Sequence, residues 1–528
     1  MSPTVDILVA FLLALALVGL LARKLQTPYP ILLVFGGLIL SLIPGLPKIQ
    51  LRPELIFLLF LPPLLFPAAL FTPWRDFREN LGPILYLAIG LVLFTTLAIG
   101  FLVHYLVGLP LAVSFVFGAI VSPPDAIAAK AIAERLSVPR RIVTILEGES
   151  LVNDATALVA YRFALAAAAT GSFALDRAVA QFFIVGIGGV AIGFAFGWAA
   201  AWFHNRVDDA PVEVTVSLMT PFAAYIVAER LGLSGVLSVV TAGLLLGWRS
   251  PIITNSSTRL LGGPFWKMVE FLLNGVVFIL IGLKIPDAFR GLAGYSTNQL
   301  LTWSIAVSLA VILVRICWVF PAMYLPALLS KRIRARDGFP AWQHVAIIAW
   351  TGMRGVVSVA AALALPLRLQ DGAPFPGRDL ILFLTLVVIL ATLVLQGLSV
   401  PLLIRLLGVR DDKRAETEER EARLKANRAA LEHLQAIAEP TRAQQEALDR
   451  LRIEYDDRIR QLEAYAHGRA GKATRLFSEE YETLTYETLQ VERDVILNLR
   501  NESVINDDVL RRVQRDIDLA EARLKQHQ

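Results

Sequence analysis

The strongest constraint on the fold of this chain is a series of apolar runs, each about 20 residues long, within residues 1–408. A helix of about this length crosses the hydrocarbon core of a bilayer. The runs predict an all-α polytopic membrane protein. Charged and Pro/Gly-rich segments separate about thirteen transmembrane helices, near residues 5–22, 29–46, 54–71, 81–107, 110–133, 141–169, 178–203, 212–229, 233–248, 263–284, 298–328, 341–366 and 379–407.

The last 120 residues have a different composition. Residues 409–528 hold 22 basic and 26 acidic side chains, whereas residues 1–408 hold 28 and 19. In the tail, apolar residues recur among dense charges of both signs, which is typical of solvent-facing helices, a helical hairpin or a coiled coil. Pro440, Gly468 and Gly471 punctuate these helices. We therefore predict a transmembrane domain at 1–408 and a charged helical cytoplasmic tail at 409–528.

The distribution of basic residues predicts the orientation. With the N-terminus outside, the inner loops carry 15 Lys and Arg residues and the outer loops carry 8. This asymmetry follows the positive-inside rule, so we expect a multi-pass protein of the plasma (inner) membrane with an external N-terminus and a cytoplasmic tail. The basic excess lies in the apolar part of the chain, which argues against a nucleic-acid partner.

Ionisable side chains inside the predicted spans point to function. Each costs about 2.5–3.5 kcal/mol on insertion and calls for an explanation. Five of them lie between residues 125 and 154, so the cost is concentrated in one pair of spans. The set comprises Asp125, Lys130, Glu147, Glu149, Asp154, Arg162, Glu270, Arg315 and Arg354.

Two of the spans should be broken helices. Ser122–Asp125 contains two consecutive prolines, which remove two backbone donors and disfavour helix at the preceding residue. Thr351–Gly355 interrupts the twelfth span with two glycines. Breaks in the fifth and twelfth spans fit inverted repeats offset by seven spans, and such pairs mark the midplane site of transporters. The alternative is a pair of kinked packing helices.

The sixth span places its polar side chains on different faces. Glu149 and Asn153 are separated by four residues and share a face, whereas Asp154 is turned about 140° from Glu149. Asp154 can therefore point into a cavity while Glu149 points towards another helix. A buried glutamate needs a cation, and Arg315 and Arg354 are the available partners.

Other features receive structural interpretations. Gly189, Gly193 and Gly197 form a stripe of small residues that predicts close helix packing. With Cys317 as the single cysteine, a disulfide framework is excluded. No HExxH, P-loop or GxSxG motif occurs. We therefore do not expect an enzyme, and we expect no cofactor.

Four motifs together carry a family resemblance. They are Phe60–Leu65 (FLPPLL), Ser122–Asp125 (SPPD), Gly148–Ala155 (GESLVNDA) and Gly352–Gly355 (GMRG). In this order and in these spans, the chain resembles the monovalent cation:proton antiporter-1 family over all of 1–408. This family includes bacterial NhaP-type and animal NHE-type sodium/proton exchangers. The Asn-Asp pair after Gly-Glu-Ser is the most specific of these signals.

The resemblance implies a role for each site residue. Asp154 would bind the cation and the proton, with Asn153 beside it and Asp125 on the broken helix. Glu149 would be the structural partner of Arg315. The resemblance also implies that the second break is neutralised by Arg354.

Other positions leave the ligand set open. Ser150 and Glu270 are secondary candidates, and Glu270 could face the cavity or lie at the inner interface beside Lys267. Two positions depart from the family pattern. Some relatives have an acidic residue in place of Pro67 and a hydroxyl residue in place of Pro124.

The implied activity is secondary active exchange of Na⁺ or Li⁺ for H⁺, for pH and sodium homeostasis. An Asn beside the Asp resembles the electroneutral branch of the superfamily. A homodimer is also implied, and the ligands are the transported Na⁺, Li⁺ or K⁺ and H⁺. The alternatives are a K⁺/H⁺ antiporter, a gated cation channel and a membrane sensor that signals through the tail.

Overall fold

A computed structural model gives the architecture of the chain. It describes residues 13, 15–21, 24, 29–42, 53–125, 138–170, 175–292, 294–331, 334–335, 338–369, 372–409, 414–437, 442–466, 472–502, 504 and 507–525. The regular structure in these ranges is helical, apart from an isolated β-bridge between Arg368 and Pro374. Two units are formed, Met1–Asp411 and Asp412–Gln528. The predicted all-α class is confirmed.

The first unit contains fourteen described helices. They are α1 (Tyr29–Ser41), α2 (Pro53–Leu70), α3 (Trp74–Glu79), α4 (Leu81–Val107, with a π-helical turn at Tyr86–Leu91), α5 (Leu111–Val121), α6 (Arg140–Thr170), α7 (Leu175–His204), α8 (Ala210–Arg230), α9 (Gly235–Ile253), α10 (Ser256–Arg290), α11 (Thr297–Leu329), α12 (Trp342–Trp350), α13 (Val356–Leu363) and α14 (Arg378–Leu406).

The lengths of these helices support the predicted membrane class. Among the described residues, eight helices are long and apolar enough to cross a bilayer, and three more apolar helices are shorter. The described residues do not confirm that there are thirteen spans. The span predicted at 5–22 lies largely outside the described residues, and the twelfth is divided between α12 and α13 because it is broken in the middle.

Side-chain caps determine where several of the long helices begin. Asp209, Ser234, Asn255 and Ser296 each accept a hydrogen bond from a backbone N–H in the first turn of α8, α9, α10 and α11. At α11, Gln299 completes a capping box with Ser296. These caps satisfy N–H groups that have no partner within the helix, so the chain can reverse direction within a few residues between successive helices.

The glycine stripe packs α7 against α9, which confirms the sequence prediction. A Cβ atom added to Gly189 or Gly193 would collide with the backbone carbonyl groups of Ser234 and Ser238. The same atom at Gly197 would press on the backbone of Ala242. The backbones of the two helices therefore approach closely only because these positions lack a side chain.

This close approach makes a testable prediction about stability. Gly193→Ala should destabilise the protein by about 1–3 kcal/mol, because the added methyl group forces α7 and α9 apart. The matched control is Gly186→Ala on the same helix, where an added Cβ meets only Leu237 Cδ1 at 3.7 Å. Thermal unfolding in detergent should show a lower midpoint for Gly193→Ala alone. Equal midpoints for the two variants would contradict this packing argument.

The second unit consists of four helices: α15 (Arg414–Gln435), α16 (Arg442–Ala466), α17 (Lys472–Asn501) and α18 (Asp507–Lys525). They pack in two pairs, α15 with α16 and α17 with α18.

Ion pairs join the helices of each pair in this second unit. Arg428 contacts Glu463 at 2.6 Å across α15 and α16. Arg493 contacts Asp518 at 2.6 Å across α17 and α18. Of the alternatives that the sequence left open for the tail, these paired helices correspond to helical hairpins. Pro440, Gly468 and Gly471 lie outside the described residues.

Candidate functional site

The two predicted breaks meet in the first unit. After α5 ends, the Ser122–Asp125 segment is non-helical, and Thr351–Gly355 separates α12 from α13 in the same way. The backbone N–H of Asp125 donates a hydrogen bond of 2.7 Å to the carbonyl oxygen of Met353. A Cβ atom on Gly355 would collide with the Asp125 carboxylate. Glycine at this position therefore allows the two broken segments to touch.

A charged side chain from each break lies at a helix end in the other break and offsets the partial charge of that helix end. Arg354 is buried, and its Nε donates to the carbonyl oxygen of Val121, the last residue of α5, at 2.9 Å. The Asp125 carboxylate in turn accepts the N–H of Val356 at the start of α13, at 3.4 Å. A helix has partial negative charge at its C-terminus and partial positive charge at its N-terminus. The two side chains therefore stabilise the crossing electrostatically.

Helix α6 passes beside this crossing and presents Asn153 and Asp154. The Nδ2 group of Asn153 donates to the carbonyl oxygen of Pro124 at 2.9 Å, which ties the first break to α6. Its Oδ1 atom is buried and has no hydrogen-bond partner among the described groups. Asp154 is 5% exposed, and the Asp125 carboxylate is near enough to interact with it electrostatically.

Asp154 lines a cavity of about 630 Å³. Its α6 wall consists of Glu147, Ser150, Leu151 and Asp154, which have the i, i+3, i+4, i+7 spacing of one helix face. Asp154 is the last α6 residue on this wall, seven residues beyond Glu147. The other described parts of the wall come from α1, α2, α10, the first break and the start of α13, and include Tyr29, Pro67, Pro124, Asp125, Lys267, Glu270, Phe271 and Ser358.

Glu149 faces away from this cavity and binds Arg315 of α11. The guanidinium group donates to both carboxylate oxygens, at 2.6 and 2.9 Å, and the two side chains are 1% and 0% exposed. Arg315 also donates to the carbonyl oxygen of Ile348, at 3.2 Å from Nε and 3.0 Å from Nη2. Ile348 lies in the last turn of α12, where the break leaves carbonyl groups without helical partners. Arg315 therefore holds α6, α11 and α12 together.

The structure brings together the residues that the sequence singled out. Asp125, Ser150, Asp154 and Glu270 line one cavity, and Asn153 lies beside it. For Glu270, where the sequence left two positions open, the structure places the side chain in the cavity wall together with Lys267.

Two polar wall residues were missed by the sequence reasoning, Tyr29 and Ser358. Ser358 is four residues beyond Arg354, and that spacing from the second break was the available signal. Tyr29, at the start of α1, offered no comparable pattern.

Two broken helices that meet beside a buried carboxylate in a cavity wall are the arrangement of a secondary active ion transporter. Residues 8–406 match the family described as "Sodium/hydrogen exchanger, transmembrane". The chain therefore belongs to this family of monovalent cation:proton antiporters.

Individual relatives agree with this assignment. An uncharacterized Na⁺/H⁺ exchanger of Mycobacterium bovis is 34% identical over 98% of this chain and 96% of its own. A sodium, potassium, lithium and rubidium/H⁺ antiporter of Bacillus pumilus is 34% identical over 71% of this chain and 57% of its own. Among solved structures, a sodium proton antiporter of Methanocaldococcus jannaschii matches with a TM-score of 0.60 and 20% identity, covering 77% of this chain and 100% of that one. This last similarity supports the fold.

Proposed function

We propose that the chain exchanges Na⁺ or Li⁺ for H⁺ with one-to-one stoichiometry, and that Asp154 carries both. The observation behind the proposal is the position of this buried carboxylate in the cavity wall beside the two breaks. Neither neighbouring arginine is bonded to it, since Arg315 holds Glu149 and Arg354 holds backbone carbonyl groups. A buried carboxylate must be neutralised, and either a proton or a cation can do so, but not both at once.

A single exchange carboxylate supports electroneutral exchange. Glu149 is paired with Arg315, and the Asp125 carboxylate accepts the N–H of Val356, so the proposal assigns the transported ion to Asp154. One proton or one monovalent cation neutralises this carboxylate. Exchange of one for the other then moves no net charge, so the membrane potential contributes nothing to the driving force.

Oxygen donors suited to a hard cation surround this position. The Asp154 carboxylate and the unpartnered Asn153 Oδ1 are the first candidates, with Asp125, Ser150 and Glu270 as further ones. In our proposal, movement of the six-helix unit that contains the two broken helices exposes the loaded site on alternate sides of the membrane.

We place the protein in the plasma (inner) membrane with the N-terminus outside and residues 409–528 in the cytoplasm, on the basis of the loop charges. The cavity wall on α6 extends towards Arg140 and Arg141, at the predicted inner end of that helix. The cavity would then be the inward-facing one. A homodimer is proposed on family membership alone.

K⁺/H⁺ exchange is the second candidate. The Bacillus pumilus relative is named for sodium, potassium, lithium and rubidium. The choice between Na⁺ and K⁺ depends on how closely the oxygen donors approach the cation.

Reconstitution into proteoliposomes tests the proposal. With a pH dye inside the vesicles, adding Na⁺ or Li⁺ outside should drive proton efflux, and the rate should not change when a membrane potential is imposed with valinomycin. A higher rate with K⁺ than with Na⁺ would favour the second candidate. Cation current without coupled proton movement would contradict antiport and indicate a channel. If folded protein produced no proton movement and no current with any of the cations, the result would favour the membrane-sensor alternative.

A further inference from the structure

One residue of the cavity wall has a buried hydroxyl group for which the described part of the chain supplies no hydrogen-bond partner. Ser358 lies in the first turn of α13 and is 1% exposed, and its Oγ has no hydrogen-bond partner among the described groups. It lines the same cavity as Asp154. Buried polar groups in native proteins are nearly always hydrogen-bonded, so an unpartnered hydroxyl in the wall of a binding cavity points to a ligand.

The position of Ser358 next to the break explains why it lacks a partner. Other hydroxyl groups in this bundle donate to the carbonyl four residues earlier, as Thr156 does to Val152 and Thr392 does to Val388. For Ser358 that carbonyl belongs to Arg354, which lies in the break before α13 begins. The break therefore leaves the Ser358 hydroxyl available to something other than its own helix.

The two breaks and α13 offer few side-chain oxygen atoms to the cavity. Among the lining residues that they contribute, only Asp125 and Ser358 have a side-chain oxygen. The Asp125 carboxylate already accepts the N–H of Val356, two residues before Ser358 on the same turn. A hard cation prefers several oxygen ligands, so the Ser358 hydroxyl is a useful addition on this side of the cavity.

We propose that Ser358 Oγ is a ligand of the transported cation and helps to set its selectivity. This inference rests on the proposed function and deepens it. The ion would then be held from two sides, by Asp154 on the continuous helix α6 and by Ser358 on the broken helix α13. A neutral hydroxyl group takes no part in binding the transported proton. It therefore contributes to the affinity for the cation only.

Ser358→Ala tests this assignment. The variant should raise the KM for Na⁺ by about three- to tenfold, the range expected for one lost hydrogen-bond-strength contact, with little change in the maximal rate. Ser358→Thr, which keeps the hydroxyl, should retain an affinity near the wild-type value. Ser358→Cys keeps the size but replaces the oxygen with sulfur, a poor ligand for hard cations, and should behave like Ser358→Ala.

The matched control is Ser308→Ala on α11. Ser308 is also buried with an unpartnered Oγ, but it is not part of the cavity wall. This control should keep the wild-type KM. An unchanged KM in both Ser358→Ala and Ser358→Cys, with active wild-type protein, would overturn the assignment and leave the proposed function intact. A lower maximal rate at constant KM would also overturn it, because a purely structural role would give that result.

A different result would test the proposed function itself. If the wild-type protein moved no protons with any cation, antiport would fail before the role of Ser358 could be tested. If Ser358→Ala does not fold, Ser358→Cys provides the same comparison. Monodispersity in detergent identifies the folded variants before transport is measured.

Discussion

Asp154→Asn is expected to abolish cation-dependent proton movement, with a fall of at least about 100-fold in rate. The amide has nearly the same shape as the carboxylate, so the fold should survive. The amide can neither bind a proton near neutral pH nor supply the negative charge that balances a cation. A buried cation that lost its counter-charge would face a large desolvation cost. Dye-loaded proteoliposomes at saturating Na⁺ provide the measurement.

An Asp-to-Asn substitution outside the cavity provides the control for Asp154→Asn. Asp76 pairs with Arg140 at 2.7 Å near the predicted inner surface, away from the cavity wall. Asp76→Asn should keep a rate within about twofold of wild type, because partly exposed ion pairs contribute little. If Asp154→Asn kept more than a tenth of the wild-type rate, Asp154 would not be the exchange carboxylate.

Arg315→Leu should destabilise the protein more than any other single change considered, by about 3–5 kcal/mol. It leaves the Glu149 carboxylate buried without its cation and removes the donor to the Ile348 carbonyl group. Both losses fall on groups that water does not reach. The expected result is a large drop in the thermal unfolding midpoint in detergent, or a loss of monodisperse protein.

The double variant Glu149→Leu/Arg315→Leu separates the two causes. Replacing both members of a buried ion pair with apolar residues is often neutral or stabilising, so the double variant should be more stable than Arg315→Leu. Arg75→Leu, at the exposed Arg75–Glu79 pair, is the surface control and should have little effect. If the single and double variants were equally unstable, loss of the ion pair would not be the cause.

Much of this site could be predicted from the chain alone, because its signals are local. Pro123 and Pro124 remove backbone donors wherever they occur, and a charge inside an apolar run is costly whatever surrounds it. The different directions of the Glu149 and Asp154 side chains around the axis of α6 follow from helix geometry. These features depend on a few neighbouring residues, and so they can be predicted without knowledge of the packing.

The partners of those residues could not be assigned in the same way. The residues alone left both Arg315 and Arg354 available for Glu149, and only the family resemblance chose between them. In the fold, α11 brings Arg315 to Glu149 across 166 residues, whereas Arg354 reaches Val121 across 233. The sequence left two positions open for Glu270, and the packing of α10 against α1 and α2 decided between them by placing Glu270 in the cavity wall.

The sequence by itself determined the apolar helices, the two breaks, the glycine stripe on α7 and the buried charges that need an explanation. Each follows from helical periodicity or from the chemistry of one residue. Only the tertiary structure decided which buried groups are paired, and that Ser358, whose hydroxyl has no partner among the described groups, lies in the cavity wall. Such pairing joins helices that are far apart in the sequence but adjacent in the fold. Because a hydrogen bond has a short range, the pairing is sensitive to how these helices are placed.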